Sequence, residues 1–322
     1  MSRDAASAKL WRRRLLVAFN ATVLIVFIAA VQYYWGWGRL FAPWRNLAPD
    51  VIGFAVLGML LSYLVRATRV YLAETDIPRG QLGQSLRLIL ITNVFNLLLP
   101  MRSGEASFPI LMHRWFGTDV RHATGTLIWL RVLDLHVIAA VGVVCAAAGW
   151  LGHDSLAADW APVIAALCVA APIVAYLTRR RILAWLAPRA DGLSRTLVKA
   201  AESLPRSPAG LLRDLLLTWL GWGIKLTALG YILARLAHLS FTLGVLGGIG
   251  GDLSTVLPIH APGGFGTYEA GVLILLAPGR APTAQMFAAA VDLHLLVLTT
   301  ALVAGGVAWI IPGANHRREL AE

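Results

Sequence analysis

Long apolar stretches are the feature that most constrains what this chain can fold into. A helix needs about 18–20 apolar residues to cross a hydrocarbon core of about 30 Å. Hydrophobic residues make up 58% of the 322 and charged residues 14%, whereas a soluble domain has about 45–50% and about 25%. The sequence predicts an all-α polytopic membrane protein and excludes a soluble enzyme or a nucleic-acid-binding module. The predicted spans are 15–37, 51–71, 123–149, 160–177, 212–236 and 284–311.

The positive charges are distributed unevenly between the segments that connect these spans. The chain carries a net charge of +11, and with the N-terminus inside, the cytoplasmic segments hold 22 of its 28 lysines and arginines. Such an excess is typical of cytoplasmic loops and reports topology, so no nucleic-acid partner is expected. We expect both termini to be cytoplasmic. The segments that carry these charges are 1–14, 66–121, 179–213 and 317–318.

Two further apolar stretches, 86–99 and 243–257, differ from the spans. Each runs into a proline and a glycine-bearing polar tip, and a short apolar return follows. Segments this short that are broken by proline and glycine are tolerated only where they line a cavity inside the protein. We therefore predict two re-entrant helical hairpins, 82–115 and 241–277.

Two pieces of sequence recur at one fixed offset. Leu-Pro at 99–100 recurs at 257–258, and Asp-Leu-His at 134–136 recurs at 292–294, both 158 residues later. Each half has three spans and one hairpin. Because three is an odd number of crossings, the second half begins on the opposite side of the membrane. The halves are therefore inverted, and their hairpins enter from opposite sides of the membrane. Inverted repeats with paired broken helices are typical of secondary transporters. The predicted repeats are residues 1–153 and 154–322.

Several charged residues fall inside predicted spans. Asp134 and Asp292 come close to the bilayer midplane, where a charge costs about 2.5–3.5 kcal/mol on insertion scales. Arg131 precedes Asp134 by three residues, so an ion pair on one helical face is expected, and a purely structural pair stays open. Lys225 lies in mid-span. Its candidate counter-ions are Asp252, Asp292 and Glu269, and we expect the charged residues named in this paragraph to belong to the substrate-binding site.

The two hairpin tips contain the sharper signals for binding. In the first tip, Arg102, Gly104 and Glu105 combine a phosphate donor, a flexible joint and a carboxylate at the start of a half-helix. The free N–H groups of a helix N-terminus favour an anion, and arginine binds phosphate through two parallel bonds. We expect these residues to bind substrate, with no catalytic residue, metal ligand or cofactor. The candidates in the second tip are Gly263, Gly264, Gly266 and Glu269.

These motifs resemble the flippase-like transmembrane region of lysylphosphatidylglycerol synthetases and the stand-alone proteins built from it. The resemblance implies a lipid-handling protein of the bacterial inner membrane with an inner cavity and no cofactor. Phe108 stands where such families often have an arginine, which leaves the headgroup open. The chain has no counterpart of the soluble aminoacyl-transferring domain, so we do not expect it to make lysylphosphatidylglycerol. The matching pieces are 96–100 with Arg102, Gly104 and Glu105; 131–134; and 262–266 with Glu269.

The function that these observations favour is a lipid transporter, or flippase, for a membrane lipid with a polar or charged headgroup. No Walker-type phosphate loop is present, so direct use of ATP is not expected. One alternative is an intramembrane enzyme on a lipid phosphate, with Glu105, Glu269 or Asp134 as acid and base and His260 beside a divalent metal. The other alternative is a scaffold for a separate lipid-modifying enzyme. A homo-oligomer also stays open.

Overall fold

The computed structural model describes residues 47–99, 104–150, 156–186, 203–254, 262–276 and 283–311, with a few single residues besides. Most of the predicted span 15–37 lies outside the described residues, and so do Arg102 and His260. Regular structure in the described ranges is helical throughout. The α-helices within these ranges are α1 (Pro49–Ala73), α2 (Leu82–Leu98), α3 (Ser107–Phe116), α4 (Val120–Trp150), α5 (Leu156–Leu186), α6 (Pro208–Ala237), α7 (Phe241–Ser254), α8 (Thr267–Leu276) and α9 (Ala284–Ile310).

Five of these helices, α1, α4, α5, α6 and α9, are long and apolar enough to cross a membrane. They begin where local chemistry favours a helix start. Prolines open α1 and α6, where the missing N–H removes no helical bond. The hydroxyl of Ser207 accepts from the N–H of Gly210 before α6, and that of Thr283 accepts from Met286 before α9. The multi-pass membrane architecture predicted from hydropathy is therefore confirmed.

The other four helices are short and form two consecutive pairs, α2 with α3 and α7 with α8. They have 17, 10, 14 and 10 residues. At about 1.5 Å per residue, each is shorter than the hydrocarbon thickness of about 30 Å. A 3₁₀ turn at 104–106 precedes α3, and a second one, Pro262–Gly264, precedes α8.

The packing is organised around α1 and α6, which run against each other. The short helix α2 packs on α1 and α9, and α7 packs on α6 and α4. Helix α3 lies on α4, and α8 lies on α9, whereas α5 packs on α4. The turn Pro262–Gly264 touches α2, so the second short pair reaches the first. A buried apolar core joins α1, α6, α8 and α9.

Within the second short pair, the two backbones touch. A Cβ atom built on Gly250 of α7 would lie 2.2 Å from the carbonyl oxygen of Gly271 on α8, and the reciprocal distance is 2.3 Å. Small residues at membrane-helix interfaces permit such close approach. This contact holds α7 and α8 together as one unit.

Candidate functional site

A cavity of about 460 Å³ lies between the helices of the bundle. Helices α1, α2, α4, α6, α7 and α9 line it, together with the turn at 104–106. Its walls combine apolar side chains with three cations and three carboxylates, an unusual set for the interior of a membrane protein. The charged lining residues are Arg66, Arg131, Lys225, Glu105, Asp134 and Asp252.

Asp134 is the centre of the first charged group. Its Oδ1 accepts from Nη2 of Arg69 at 3.0 Å and from the indole N–H of Trp222 at 2.9 Å. Its Oδ2 accepts from Nη1 of Arg131 at 3.1 Å, which is the ion pair predicted from the three-residue spacing. Arg69 also donates to the hydroxyl of Thr218 at 2.6 Å. Both Arg69 and Asp134 are buried, so this network ties α1, α4 and α6 together.

Arg131 joins this network to the 3₁₀ turn at 104–106. Its Nε lies 2.8 Å from Oε1 of Glu105, and both side chains are partly exposed to the cavity. Gly104 sits directly against the end of α2. A Cβ atom there would come within 2.3 Å of the carbonyl group of Phe95, so only glycine lets the turn close this tightly. The tip therefore presents the Glu105 carboxylate to the cavity.

Lys225 and Asp252 form the second charged group of the cavity. The ammonium of Lys225 lies 2.9 Å and 2.7 Å from the two carboxylate oxygens of Asp252. Among the three candidate counter-ions of Lys225, Asp252 is the one that it contacts in the structure. The ammonium also lies 5.0 Å from the ring centre of Trp222. Trp222 thus touches both charged groups, one through its N–H and one through its ring face.

The predicted second tip, the turn that precedes α8, is held by a buried carboxylate and an imidazole. Oε1 of Glu269 lies 2.7 Å from Nδ1 of His294, and Oε2 accepts from the N–H of Gly266 at 2.7 Å. Nε2 of His294 lies 2.9 Å from the carbonyl oxygen of Gly263. That carbonyl oxygen can only accept, so Nε2 is the donor of this hydrogen bond. Tyr268 stacks on the imidazole at 4.5 Å.

The backbone of this tip needs its glycines. Gly263, Gly264 and Gly266 have φ values of 67°, 78° and 83°, a region that other residues rarely adopt. The chain can therefore turn sharply enough for the Gly263 carbonyl to meet His294. The predicted role of these glycines in substrate binding stays a prediction.

The chain matches one known protein family over most of its length. A family profile described as "Lysylphosphatidylglycerol synthase TM region" matches residues 15–305. The chain belongs to this family. No curated protein and no solved structure matches it.

In this member of the lysylphosphatidylglycerol synthase transmembrane-region family, the structure brings together five of the predicted site residues around the cavity. They are Glu105, Arg131, Asp134, Lys225 and Asp252.

The other predicted residues lie elsewhere or outside the described ranges. Glu269 and Asp292 are buried, at 1% and 0% exposure, and the described cavity lining does not include them. Arg102 lies outside the described residues. Among the described residues, no three His, Cys, Asp or Glu side chains cluster as metal ligands would.

Two arginines of the site were missed by sequence reasoning. Charge counting assigned Arg66 and Arg69 to the cytoplasmic segment 66–121 and gave them no role in the site. Both lie within α1, Arg66 on the cavity and Arg69 at 2% exposure against Asp134. Their spacing of three residues, which puts both on one helical face, was the available signal.

Proposed function

We propose that this family member is a transporter that moves an amphipathic phospholipid between the two leaflets, and that it is not an enzyme. The observation that carries the proposal is the amphipathic lining of the central cavity, where charged side chains face apolar walls. A lipid has the same two parts, a polar headgroup and apolar chains. The cavity therefore fits a lipid better than it fits a wholly polar solute.

The apolar wall is continuous with the outer surface of the helix bundle. Ile128, Val132 and Leu135 of α4 line the cavity and are also 52%, 37% and 56% exposed. In a membrane, these side chains face the acyl chains of the bilayer. A headgroup would occupy the charged interior while its chains stay outside along α4, so only the polar part of the lipid needs a protein path.

The charged groups support the same proposal on energetic grounds. A charge at the centre of a bilayer costs about 2.5–3.5 kcal/mol on insertion scales, and such residues commonly mark substrate pathways. Six charged side chains around one cavity would be expensive for a protein that only needs to be stable. When a lipid headgroup enters the cavity, these charged side chains would replace its hydrating water molecules.

We further propose that the chain is an inverted repeat with two re-entrant hairpins, divided near 153. The order long, short, short, long in α1–α4 recurs in α6–α9. If α1–α4 are exchanged with α6–α9 in order, the contact of α2 with α9 becomes the contact of α7 with α4. In the same way, the contact of α3 with α4 becomes the contact of α8 with α9. The contact of α1 with α6 is unchanged by the exchange. This pattern supports a two-fold relation between the halves.

The finer parts of the proposal follow from this arrangement. The short pairs α2–α3 and α7–α8 would be the re-entrant hairpins, since none of their helices reaches across the bilayer. Arg102 would meet the headgroup phosphate beside the first tip. The membrane would be the bacterial inner membrane, with both termini cytoplasmic.

A cavity-filling variant tests the proposal. Val297 lines the cavity on α9, whereas Val303 on the same helix is 61% exposed on the outer surface. In proteoliposomes, Val297→Trp should slow leaflet exchange of fluorescent phosphatidylglycerol severalfold, and Val303→Trp should leave it unchanged. Size-exclusion profiles and melting temperatures establish that both variants are folded. Equal exchange by the two folded variants would count against a path through this cavity.

A further inference from the structure

Arg66 stands apart from every other charged residue of the cavity. It lies on α1, one turn before Arg69, and its side chain lines the cavity. Within the described part of the chain, Arg66 makes no hydrogen bond or ion pair, and its buried Nε has no acceptor. Asp134, a carboxylate that lines the same cavity, is already bound by Arg69 and Arg131.

Counting the charges of the described cluster gives an excess of one positive charge. Every carboxylate in it already contacts a cation: Glu105 meets Arg131, Asp134 meets two arginines, and Asp252 meets Lys225 through both oxygens. Four cations therefore face three carboxylates. The cations are Arg66, Arg69, Arg131 and Lys225, and the carboxylates are Glu105, Asp134 and Asp252.

A guanidinium without a countercharge is unfavourable at membrane depth. A ligand with one negative charge would supply that countercharge. A guanidinium presents its donors as a planar fork that fits two phosphate oxygens at once. A phosphodiester carries a single negative charge and two such oxygens. Arg66 also faces the space in which the proposed transport path lies, so a headgroup would reach it without moving any ion pair.

We propose that Arg66 anchors the phosphodiester of a lipid headgroup in the central cavity, an inference that rests on the proposed transport function. The cargo is accordingly an anionic phospholipid or one whose phosphate is its main contact with the protein. Arg131 and Lys225 stay with their carboxylates and shape the pocket around the bound phosphate.

Equilibrium binding to the purified protein in a non-ionic detergent tests the anchor. The probes are dihexanoyl phosphatidylglycerol and inorganic phosphate, and isothermal titration calorimetry measures both dissociation constants. Arg66→Gln should weaken binding of the short-chain lipid by about tenfold or more, since a hydrogen bond to a charged group is lost. Arg235→Gln, the same change at an exposed site on α6, should bind like the unchanged protein. Equal affinity of Arg66→Gln and the unchanged protein would overturn the anchor, and so would phosphate binding as tight as that of the lipid.

Thermal unfolding separates an anchor from a structural arginine. Removing a half-buried cation that has no ion pair should leave the ligand-free melting temperature of Arg66→Gln equal to that of the unchanged protein, or raise it. The short-chain lipid should raise the melting temperature of the unchanged protein but not that of the variant. A melting temperature several degrees lower in the ligand-free variant would assign Arg66 a structural role and contradict the proposal.

Leaflet exchange then distinguishes failure of the anchor from failure of the transport function. Normal exchange of fluorescent phosphatidylglycerol by Arg66→Gln would overturn the anchor and leave transport standing. Binding that depends on Arg66, without exchange by the unchanged protein, would establish the anchor and refute transport.

Discussion

Replacing Asp134 with asparagine removes one negative charge from the centre of the bundle while keeping the shape of the side chain. The carboxylate now accepts three hydrogen bonds, from Arg69 and Trp222 on Oδ1 and from Arg131 on Oδ2. An amide has only one accepting oxygen. With that oxygen towards Arg69 and Trp222, its NH₂ group faces the guanidinium of Arg131, donor against donor.

The loss of unfolding free energy depends on which cation is left without a countercharge. Arg69 is 2% exposed and would keep only neutral acceptors, Thr218 and the new amide. Breaking a buried ion pair by removing one partner costs about 3–5 kcal/mol. Because asparagine preserves two of the three bonds, we expect Asp134→Asn to lose about 3 kcal/mol of unfolding free energy, the lower end of that range.

The assay is equilibrium unfolding in mixed detergent micelles, followed by the helical circular dichroism signal. Asp50→Asn is the matched control, because Asp50 is exposed in the first turn of α1 and contributes only its interaction with the helix dipole, about 0.3–1 kcal/mol. The double variant Arg69→Met with Asp134→Leu should recover much of the loss, since both charges are then removed. If Asp134→Asn unfolded like Asp50→Asn, the charge network would not hold α1 and α4 together, and the reasoning would be refuted.

Three further predictions concern other parts of the molecule, each measured by the same unfolding assay. Gly104→Ala should lose about 1–3 kcal/mol, because its Cβ would collide with the backbone at the end of α2, whereas Gly53→Ala, with open space around it, should gain about 0.5–1 kcal/mol. His294→Leu should lose about 3 kcal/mol because Glu269 stays buried without its partner, and adding Glu269→Leu should reduce that loss; a larger loss in the double variant would contradict the pairing. Burial raises the pKa of the Glu74 carboxyl, just beyond the end of α1, so the folded state keeps a proton that the unfolded state releases. Stability should therefore fall as the pH rises from the usual pKa of a glutamate through the raised one, and Glu74→Gln should abolish that slope.

Hydropathy predicted well the positions of the long apolar helices. The predicted spans 51–71, 123–149 and 284–311 correspond to α1, α4 and α9 within a few residues. The span predicted at 160–177 is α5, which continues to Leu186 through three consecutive arginines. A helix satisfies its backbone within itself, so it need not end where its apolar side chains end. Hydropathy therefore gives the membrane segment and not the whole helix.

The site was predictable only as far as its contacts are local. The pair of Arg131 with Asp134 follows from a spacing of three residues on one helix. The partner of Lys225 stayed a choice among three carboxylates, because only the packing of α6 on α7 selects Asp252. Arg69 meets Asp134 across 65 positions of sequence, so a count of charges along the chain could not find it. The same holds for Arg66, whose importance lies in the cavity it faces.

Leaflet exchange by the unaltered protein tests the central claim most directly. Purified protein is reconstituted into vesicles containing fluorescent phosphatidylglycerol, and dithionite then quenches the label in the outer leaflet, without ATP and with or without a proton gradient. The proposed function predicts that the protein brings inner-leaflet label to the outside, so quenching proceeds well beyond that of protein-free vesicles. Quenching that stops at the protein-free level under both conditions, with folded protein in the membrane, would contradict lipid transport.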